Sequence, residues 1–371
     1  MAITAAMVKE LREMTGAGMM DCKKALTATD GDMDKSVEWL REKGLATAQK
    51  KAGRIAAEGI VMLLTKNDDK KAVAVEVNSE TDFVAKNDTF RDYVAQVCEQ
   101  AIETTAADID AFLAEPWKFD TTKTVKEALA AQISVIGENM NIRRFQTLEE
   151  ENGFVSAYTH MGGKIGVLVD VETDVVNDAV KEMGKNIAMQ IAAMNPQYVS
   201  RSDMSDEEVA KLREITVGSA LNTPDTLPKP ILTQLLNKAS EDGLFSADDA
   251  AAYEEQKNNL NYLFNFLSAE AKAAVAGLAV AAKEAIASNK IFSGLVEGRV
   301  SKQLKEMCLL DQTYVKAENG KQSVANYVAS VAKENGAKIN VKCFVRFETG
   351  EGIEKKQEDF AAEVAAQMAG K

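Results

Sequence analysis

The 371-residue sequence predicts an α+β protein with an N-terminal three-helix module, two repeated small sheet-plus-helix core lobes and an inserted helical arm. Apolar residues recur at helical spacing at the N-terminus and again in a long central stretch. Between these stretches a segment occurs twice, and each copy passes from β-type alternation through Glu-Thr-Asp into an amphipathic helical pattern. Strand pairs followed by helices within short units are typical of the α+β class.

The N-terminal module is expected to span residues 1–51. A glycine-rich turn at 15–18 separates its first two helices, Asp32 is suited to cap the third, and Gly44 is expected near that helix's end. The apolar faces expected to form its core are Val8, Leu11 and Met14; Met20, Cys22, Ala25 and Leu26; and Val37, Trp39 and Leu40.

The repeat organises the core. Its copies run from 72 to 102 and from 164 to 195, and predicted partner strands at 59–65 and 154–160 precede them. A further strand is predicted at 340–348. The resulting boundaries are 55–145 for lobe 1, 146–201 plus 296–350 for lobe 2, and 351–371 for a C-terminal helical module.

The inserted arm is expected at 202–295, with a break at its three clustered prolines. A capping box of Ser205 and Glu208 opens its first helix. The predicted arm helices run over 205–219, 231–240, 246–266 and 268–288. The last helix has an alanine-rich face of Ala273, Ala276, Val280 and Ala287, which requires a partner. That partner is either a neighbouring arm helix or a second copy of the chain.

Composition argues against several classes of protein. A net charge of -13 opposes direct binding to a nucleic-acid backbone. The longest uncharged apolar run, 273–282, is about half the length of a membrane span. The N-terminal segment lacks the apolar core of a signal peptide, so we expect a cytoplasmic protein without membrane contact. Four separated cysteines and a single histidine support no metal site, cofactor site or catalytic triad.

Two long motifs carry a family resemblance: Thr-Gly-Ala-Gly-Met-Met-Asp-Cys-Lys-Lys-Ala-Leu at 15–26 and Glu-Thr-Asp-Phe-Val-Ala-Lys-Asn-Asp at 80–88. Together with the blocks at 136–144, 187–201, 296–299 and 347–356, they resemble the bacterial elongation factor Ts family. The sequence departs from that family at Thr313 and Tyr314, where the family usually has Pro-Phe, and its arm is enlarged around 223–290.

The resemblance implies a guanine nucleotide exchange factor that binds elongation factor Tu and promotes GDP release during translation elongation. It would act by disturbing the magnesium and phosphate site of that GTPase, without covalent chemistry and without a cofactor. It also implies a homodimer formed through the arm. The alternative is a helical scaffold or nucleic-acid-associated translation protein that has no exchange activity.

Asp82 and Phe83 are expected where a strand becomes a helix. The residues alone favour a local role, with Asp82 as an N-cap and Phe83 packed beside it as a hydrophobic staple. The second copy has Asp174 and Val175 at the matching place, so capping does not require an aromatic ring. The resemblance implies that Asp82 and Phe83 enter the partner, with Thr81, Val84 and Lys86 in the same motif. Lys86 either pairs with an acidic partner surface or is simply solvated.

Arg12, Met19 and Met20 match family positions that contact the nucleotide-binding domain of the GTPase. Methionines at helical spacing more often fill a core, but two adjacent residues cannot share one helix face. His160 matches a family contact in the second lobe. From the residues alone it is a strand-end histidine in a polar turn.

Overall fold

The computed structural model describes residues 2–318 and 320–354, and the mixture of helices with small antiparallel sheets confirms the α+β class. The chain forms two compact units. Among the described residues, one comprises 2–195 and 326–354, and the other lies within 196–325. The C-terminal helical module expected at 351–371 lies, beyond residue 354, outside the described residues.

Helices and strands are numbered along the chain. The helices are α1 (Ala5–Thr15), α2 (Met19–Ala28), α3 (Met33–Lys51), α4 (Asp82–Ala85), α5 (Asp88–Ala101), α6 (Ile109–Ala114), α7 (Val125–Ile136), α8 (Asp178–Met194), α9 (Asp206–Asn222), α10 (Lys229–Glu241), α11 (Ala247–Gln256), α12 (Leu260–Leu263), α13 (Ala269–Ala281), α14 (Lys283–Ala287), α15 (Lys290–Met307) and α16 (Val324–Asn335). The strands are β1 (Glu58–Lys66), β2 (Lys71–Ser79), β3 (Pro116–Trp117), β4 (Asp120–Thr124), β5 (Met140–Glu149), β6 (Gly153–His160), β7 (Ile165–Thr173) and β8 (Ile339–Glu348).

The N-terminal module consists of α1, α2 and α3, and its core includes the fully buried side chains of Leu11, Cys22 and Leu26. Asp32 caps α3 as predicted, because its carboxylate accepts a hydrogen bond of 3.0 Å from the Lys35 N–H. The prediction that α3 ends near Gly44 is wrong.

Helix α3 continues to Lys51, and Gly44 has a different role. It is buried where α3 packs on α7, and a Cβ placed on it would lie 3.6 Å from the Ala130 carbonyl oxygen. The glycine therefore permits close helix packing. Met14 and Met20, expected in the module core, are exposed.

Each repeat contributes to its own three-stranded antiparallel sheet. The first sheet has the order β1-β2-β5 and the second has the order β6-β7-β8. The predicted strands at 59–65, 154–160 and 340–348 are therefore present, each within one residue of its expected limits.

The two sheets pack face to face. Val61 and Ala74 of the first sheet belong to one apolar cluster with Leu168 and Val345 of the second. Residues on the other face of β2, such as Val75, pack with the helices α5 and α7. Strand β2 is thus buried on both faces, which explains why apolar residues are nearly continuous along it.

A buried glutamate joins the first sheet to the turn that follows β8. The Glu76 side chain is fully buried and pairs with Arg143 at 3.0 Å and Arg144 at 2.6 Å. It also accepts a hydrogen bond of 2.8 Å from the Gly350 N–H. Burial raises the pKa of Glu76, but hydrogen bonds from Gly350 and Asn78 and the charge of Arg144 outweigh it, so the net pKa is lowered.

The second unit is helical and has its own core, which includes Leu221, Leu236, Leu263, Val275 and Phe292. It extends beyond the arm expected at 202–295, and α15 runs without interruption through residue 296. The capping box of Ser205 and Glu208 is present at the start of α9, as predicted.

Two arm helices differ from their predicted form. The helix expected over 246–266 is interrupted after Gln256, and the helix expected over 268–288 divides at Ala282 into α13 and α14. Within the residues that the structure describes, the alanine-rich face is largely exposed and is not packed against a neighbouring arm helix, so of the two expected partners only a second copy of the chain stays a prediction. Ala271, Val275 and Ala279 are buried in α13, whereas Ala273, Val280 and Ala287 are exposed.

Cys22, Cys98 and Cys308 are buried free thiols, and Cys343 is a half-buried one. Burial raises the pKa of the Cys98 thiol to about 12. In the described part of the chain, no helix is long and apolar enough to cross a bilayer.

Candidate functional site

The short helix α4 follows directly after the central strand β2 and carries the predicted contact residues. Thr81, not Asp82, is its N-cap, because the Thr81 hydroxyl accepts a hydrogen bond of 3.4 Å from the Val84 N–H. The prediction that Asp82 caps this helix is therefore wrong. Asp82 occupies the first helical position, where a negative charge is favourable.

Phe83 projects from this helical turn into solvent. Its side chain is 80% exposed, although Ala85 in the same turn is buried and Val84 packs at the edge of the lobe core. The expectation that Phe83 packs locally as a staple is thus wrong. Leaving a phenyl ring exposed forgoes about 1.5–3 kcal/mol of burial free energy, which a binding partner is able to recover.

Lys86 is exposed, but its ammonium group is paired. Its ammonium group donates a hydrogen bond of 2.6 Å to the Asp82 carboxylate, one helical turn earlier. This hydrogen bond, with the nearby charges of Lys86 and Lys164, holds the pKa of Asp82 below its usual value. Asp82 therefore stays ionised beside the exposed ring.

Hydrogen bonds to the carboxylates of Glu138 and Glu80 hold the backbone just before α4 in place. Glu138 accepts hydrogen bonds from both the N–H of Thr81, at 3.0 Å, and its hydroxyl, at 2.7 Å. Glu80 accepts a hydrogen bond of 2.5 Å from the Asn139 N–H and lies 3.4 Å from Arg54. The N-terminal side of the Phe83 turn is thus fixed by the loop between α7 and β5.

Sequence reasoning did not assign these bracing residues to the site. Their signal was present, because Glu138 and Asn139 lie within the block at 136–144 that resembles the family. The sequence did not indicate that this block contacts the Thr-Asp-Phe motif, since more than fifty residues separate the two.

The second repeat does not reproduce this arrangement. The Thr173 hydroxyl accepts a hydrogen bond of 3.2 Å from the Val175 N–H, and the Asp174 carboxylate accepts one of 2.7 Å from the Lys338 N–H. Helix α8 begins only at Asp178 and is capped by Asn177. Asp174 therefore does not cap the helix, contrary to the comparison made from sequence.

His160 lies at the end of β6, as expected for a strand-end histidine. Its Nδ1 atom is 2.9 Å from the Tyr158 hydroxyl, and the two rings lie 5.8 Å apart. Met161 follows in a left-handed conformation, with a φ of 49°, and its side chain is 69% exposed. Met161 was not identified from the sequence, although its position beside His160 makes it part of the same surface.

Arg12, Met19 and Met20 are all exposed on the N-terminal module. Met19 and Met20 are 59% and 65% exposed, so neither fills the module core. Met14, at 57% exposure, adds a third surface methionine to this module. Flexible, polarisable methionines are suited to protein contacts.

The exposed groups on these elements include an aromatic ring and methionines, which are side chains enriched at protein-binding surfaces. Among the described residues, no group of three or more His, Cys, Asp or Glu side chains is placed to hold a metal ion.

Comparison with known proteins gives a consistent result. The family model described as Elongation factor TS matches residues 80–351, a range that includes α4 and His160. The chain is 43% identical to Elongation factor Ts of Clostridium novyi over 366 residues, or 99% of each chain. It is 42% identical to Elongation factor Ts of Halothermothrix orenii over 368 residues, again 99% of each. A third relative, Elongation factor Ts of Clostridium perfringens, is 42% identical over 369 residues and 100% of each chain. This protein therefore belongs to the elongation factor Ts family of translation elongation factors.

Proposed function

We propose that this protein is a guanine nucleotide exchange factor that binds elongation factor Tu and promotes its release of GDP in the cytoplasm. The observation that carries the proposal is Phe83, a ring that is 80% exposed on a helical turn. Glu138 and Glu80 brace that turn before any partner arrives. An aromatic side chain carried on a fixed backbone loses less conformational entropy on binding, which suits Phe83 to act as a wedge.

The mechanism follows from how a GTPase holds its nucleotide. A magnesium ion that bridges the phosphate oxygens and the backbone N–H donors of the phosphate loop provide much of the affinity for the nucleotide. Phe83 and the ionised Asp82 would enter near that site and disturb it. Coupling between two ligands is reciprocal, and about 4 kcal/mol of coupling changes each affinity roughly a thousandfold. Exchange is then accelerated by binding, without a covalent step.

Two other surfaces would hold the partner while α4 acts. We propose that Arg12, Met19 and Met20 contact the nucleotide-binding domain of the GTPase. We propose that His160, together with Met161, contacts another domain. The exposure of Met19, Met20 and Met161 supports these assignments, because exposed methionines are favoured at binding surfaces.

We also propose that the helical unit mediates self-association. The outward face of α13 presents Ala273, Gly277 and Val280, and small residues allow a second helix to approach closely. Val280→Glu should therefore shift the mass measured by light scattering from dimer to monomer. GDP release should remain nearly unchanged, and loss of exchange in a folded variant would instead assign α13 to the partner site.

The decisive experiment measures release of fluorescent GDP from bacterial elongation factor Tu while this protein is titrated in. Release should accelerate by orders of magnitude at substoichiometric concentration. A rate that stays constant throughout the titration would contradict the proposal and favour a scaffold without exchange activity.

A further inference from the structure

Arg91 connects two of the surfaces assigned above to the partner. It lies in the first turns of α5 and is half-buried. Its Nε atom donates a hydrogen bond of 3.1 Å to the carbonyl of Ala85, the last residue of α4. Its Nη2 atom donates one of 3.0 Å to the carbonyl of Gly162, two residues after His160.

Each of these carbonyls belongs to a segment with little regular structure of its own. Helix α4 is only four residues long, so it is too short to be stable by itself. The turn after β6 contains two consecutive left-handed residues, Met161 with a φ of 49° and Gly162 with a φ of 68°. Neither segment alone fixes its position relative to the other.

The guanidinium group suits this connection. Its N–H donors are held in a planar, rigid fork, so two acceptors bound to it keep a fixed separation. The group is always charged, and hydrogen bonds from a charged donor to a carbonyl are stronger than neutral ones. Glu138 fixes α4 at its N-terminal side, while Arg91 fixes its C-terminal end to the turn after β6.

We propose that Arg91 is a positioning residue that holds the Phe83 turn and the His160–Met161 turn at the separation required to engage one partner simultaneously. This inference rests on the proposed exchange function and adds a residue that acts through others, without touching the partner's nucleotide. Two recognition elements held in register bind with a smaller entropic cost than two that move independently.

The inference makes a specific prediction about non-additivity. Arg91→Met keeps much of the side-chain length and removes every donor. It should raise the concentration of factor that gives half-maximal GDP release by about tenfold, the scale expected for two charge-assisted hydrogen bonds. In a Phe83→Val background the same change should have an effect below about twofold, because the variant lacks the aromatic ring whose position Arg91 is proposed to fix.

Three further measurements make the test specific. Arg91→Lys retains the charge and donates from a single atom, so it should show an intermediate loss. Lys185→Met, an exposed lysine on α8, removes the same charge and should leave the titration unchanged. Thermal unfolding of each variant reports any general loss of stability, which would weaken exchange equally in both Phe83 backgrounds.

The outcomes separate the two proposals. If the wild-type chain fails to accelerate GDP release, the exchange function is overturned and the role of Arg91 falls with it. If the wild type is active but Arg91→Met has no effect, or has the same effect in both backgrounds, only the positioning role is overturned. A loss that is confined to the Phe83-containing background supports it.

Discussion

The segment after the central strand of each repeat contains Glu-Thr-Asp, at 80–82 in the first repeat and at 172–174 in the second. These two junctions between strand and helix differ in structure and in proposed role. The pairing of β2 with β5 has a bulge opposite Glu76 and Val77, where Arg143 of β5 is the extra residue. The pairing of β7 with β8 has one opposite Asp170 and Val171, where Lys342 of β8 is the extra residue. Residues 77–81 separate the first bulge from Asp82, whereas only 171–173 separate the second from Asp174. The longer connection contains Thr81, which caps α4 and whose hydroxyl donates a hydrogen bond to Glu138. A short extension beyond a bulge thus accompanies the change from a structural turn to an exposed binding turn.

The buried acids at these two bulges also differ. Glu76 is matched by two arginines, and its net pKa is lowered. Asp170 faces Glu150 and the Cys343 thiol, and burial together with the hydrogen bond and charge of Glu150 raises its pKa to about 6. The first repeat therefore stabilises a buried charge, whereas the second disfavours one.

The largest effect should come from removing the charge at Glu76. Glu76→Gln leaves Arg143 and Arg144 without their buried counter-charge, and breaking such a group typically costs about 3–5 kcal/mol. Urea denaturation at neutral pH should show a loss of unfolding free energy of this size. Asp170→Asn is the matched control and should not destabilise the protein under the same conditions. Equal destabilisation by both variants would show that the two bulge acids do not differ.

Phe83→Val converts the exposed residue of the first junction into the residue found in the second. Loss of a central aromatic anchor costs roughly 2 kcal/mol or more at an interface, so GDP release should slow by about thirtyfold or more. Thermal unfolding should change little, because the ring is exposed in the free protein. The reciprocal variant Val175→Phe should not increase exchange, since Asp174 and its neighbours lie in a different turn. Collapse of the fold in Phe83→Val would contradict the wedge assignment.

Removing the Glu138 side chain, which holds Thr81 at the first junction, should slow GDP release less than Phe83→Val does. Glu138→Ala removes both hydrogen bonds to Thr81, which should slow GDP release by about tenfold and speed amide hydrogen exchange at 82–85. Asp174→Ala removes the corresponding contact of the second junction with Lys338. It should lower stability slightly and leave GDP release unchanged. An equal loss of exchange in both variants would argue against a specific role for the Glu138 brace.

Local chemistry made much of the fold predictable. Asp32, with a polar side chain at the start of an apolar-periodic segment, and Ser205, three residues before Glu208, both form the caps that the sequence predicts. The strands of both repeats were equally clear, because alternating β-branched residues do not fit a helical period. No proline or glycine marks the interruption after Gln256, so the sequence does not predict it.

What the sequence did not reveal depends on contacts between distant segments. Glycine commonly terminates helices, which predicts a helix end at Gly44, yet the role of Gly44 is set by packing on α7. The local pattern predicts Asp82 as the cap, although Thr81 is equally suitable and is oriented by Glu138 from another loop. Arg91 carries no local signal at all, since both of its acceptors are backbone carbonyls.

A further predicted effect concerns the pH dependence of the second repeat. The Asp170 carboxyl group is 5% exposed, and its pKa is raised from 3.8 to about 6. Its folded state therefore favours the protonated form. The associated stability is fully present below pH 3.8 and is lost as the pH rises through about 6. Around it, Glu150 disfavours its charge, while Lys342, 2.8 Å from Glu150, and the hydrogen bond donated by the Cys343 thiol partly offset that effect.

Asp170→Asn is neutral at every pH, so it should remove this pH-dependent loss. At pH 8 we expect the variant to be more stable than the wild type by about 1–2 kcal/mol, and at pH 4 the two should be nearly equal. Urea denaturation across this range measures the difference. Glu150→Gln provides a second arm, because removing the neighbouring carboxylate should lower the pKa of Asp170 and move the midpoint of the wild-type dependence to lower pH. A difference between wild type and Asp170→Asn that does not change with pH would show that Asp170 titrates normally, and the contrast with Glu76 would then rest on ion pairing alone.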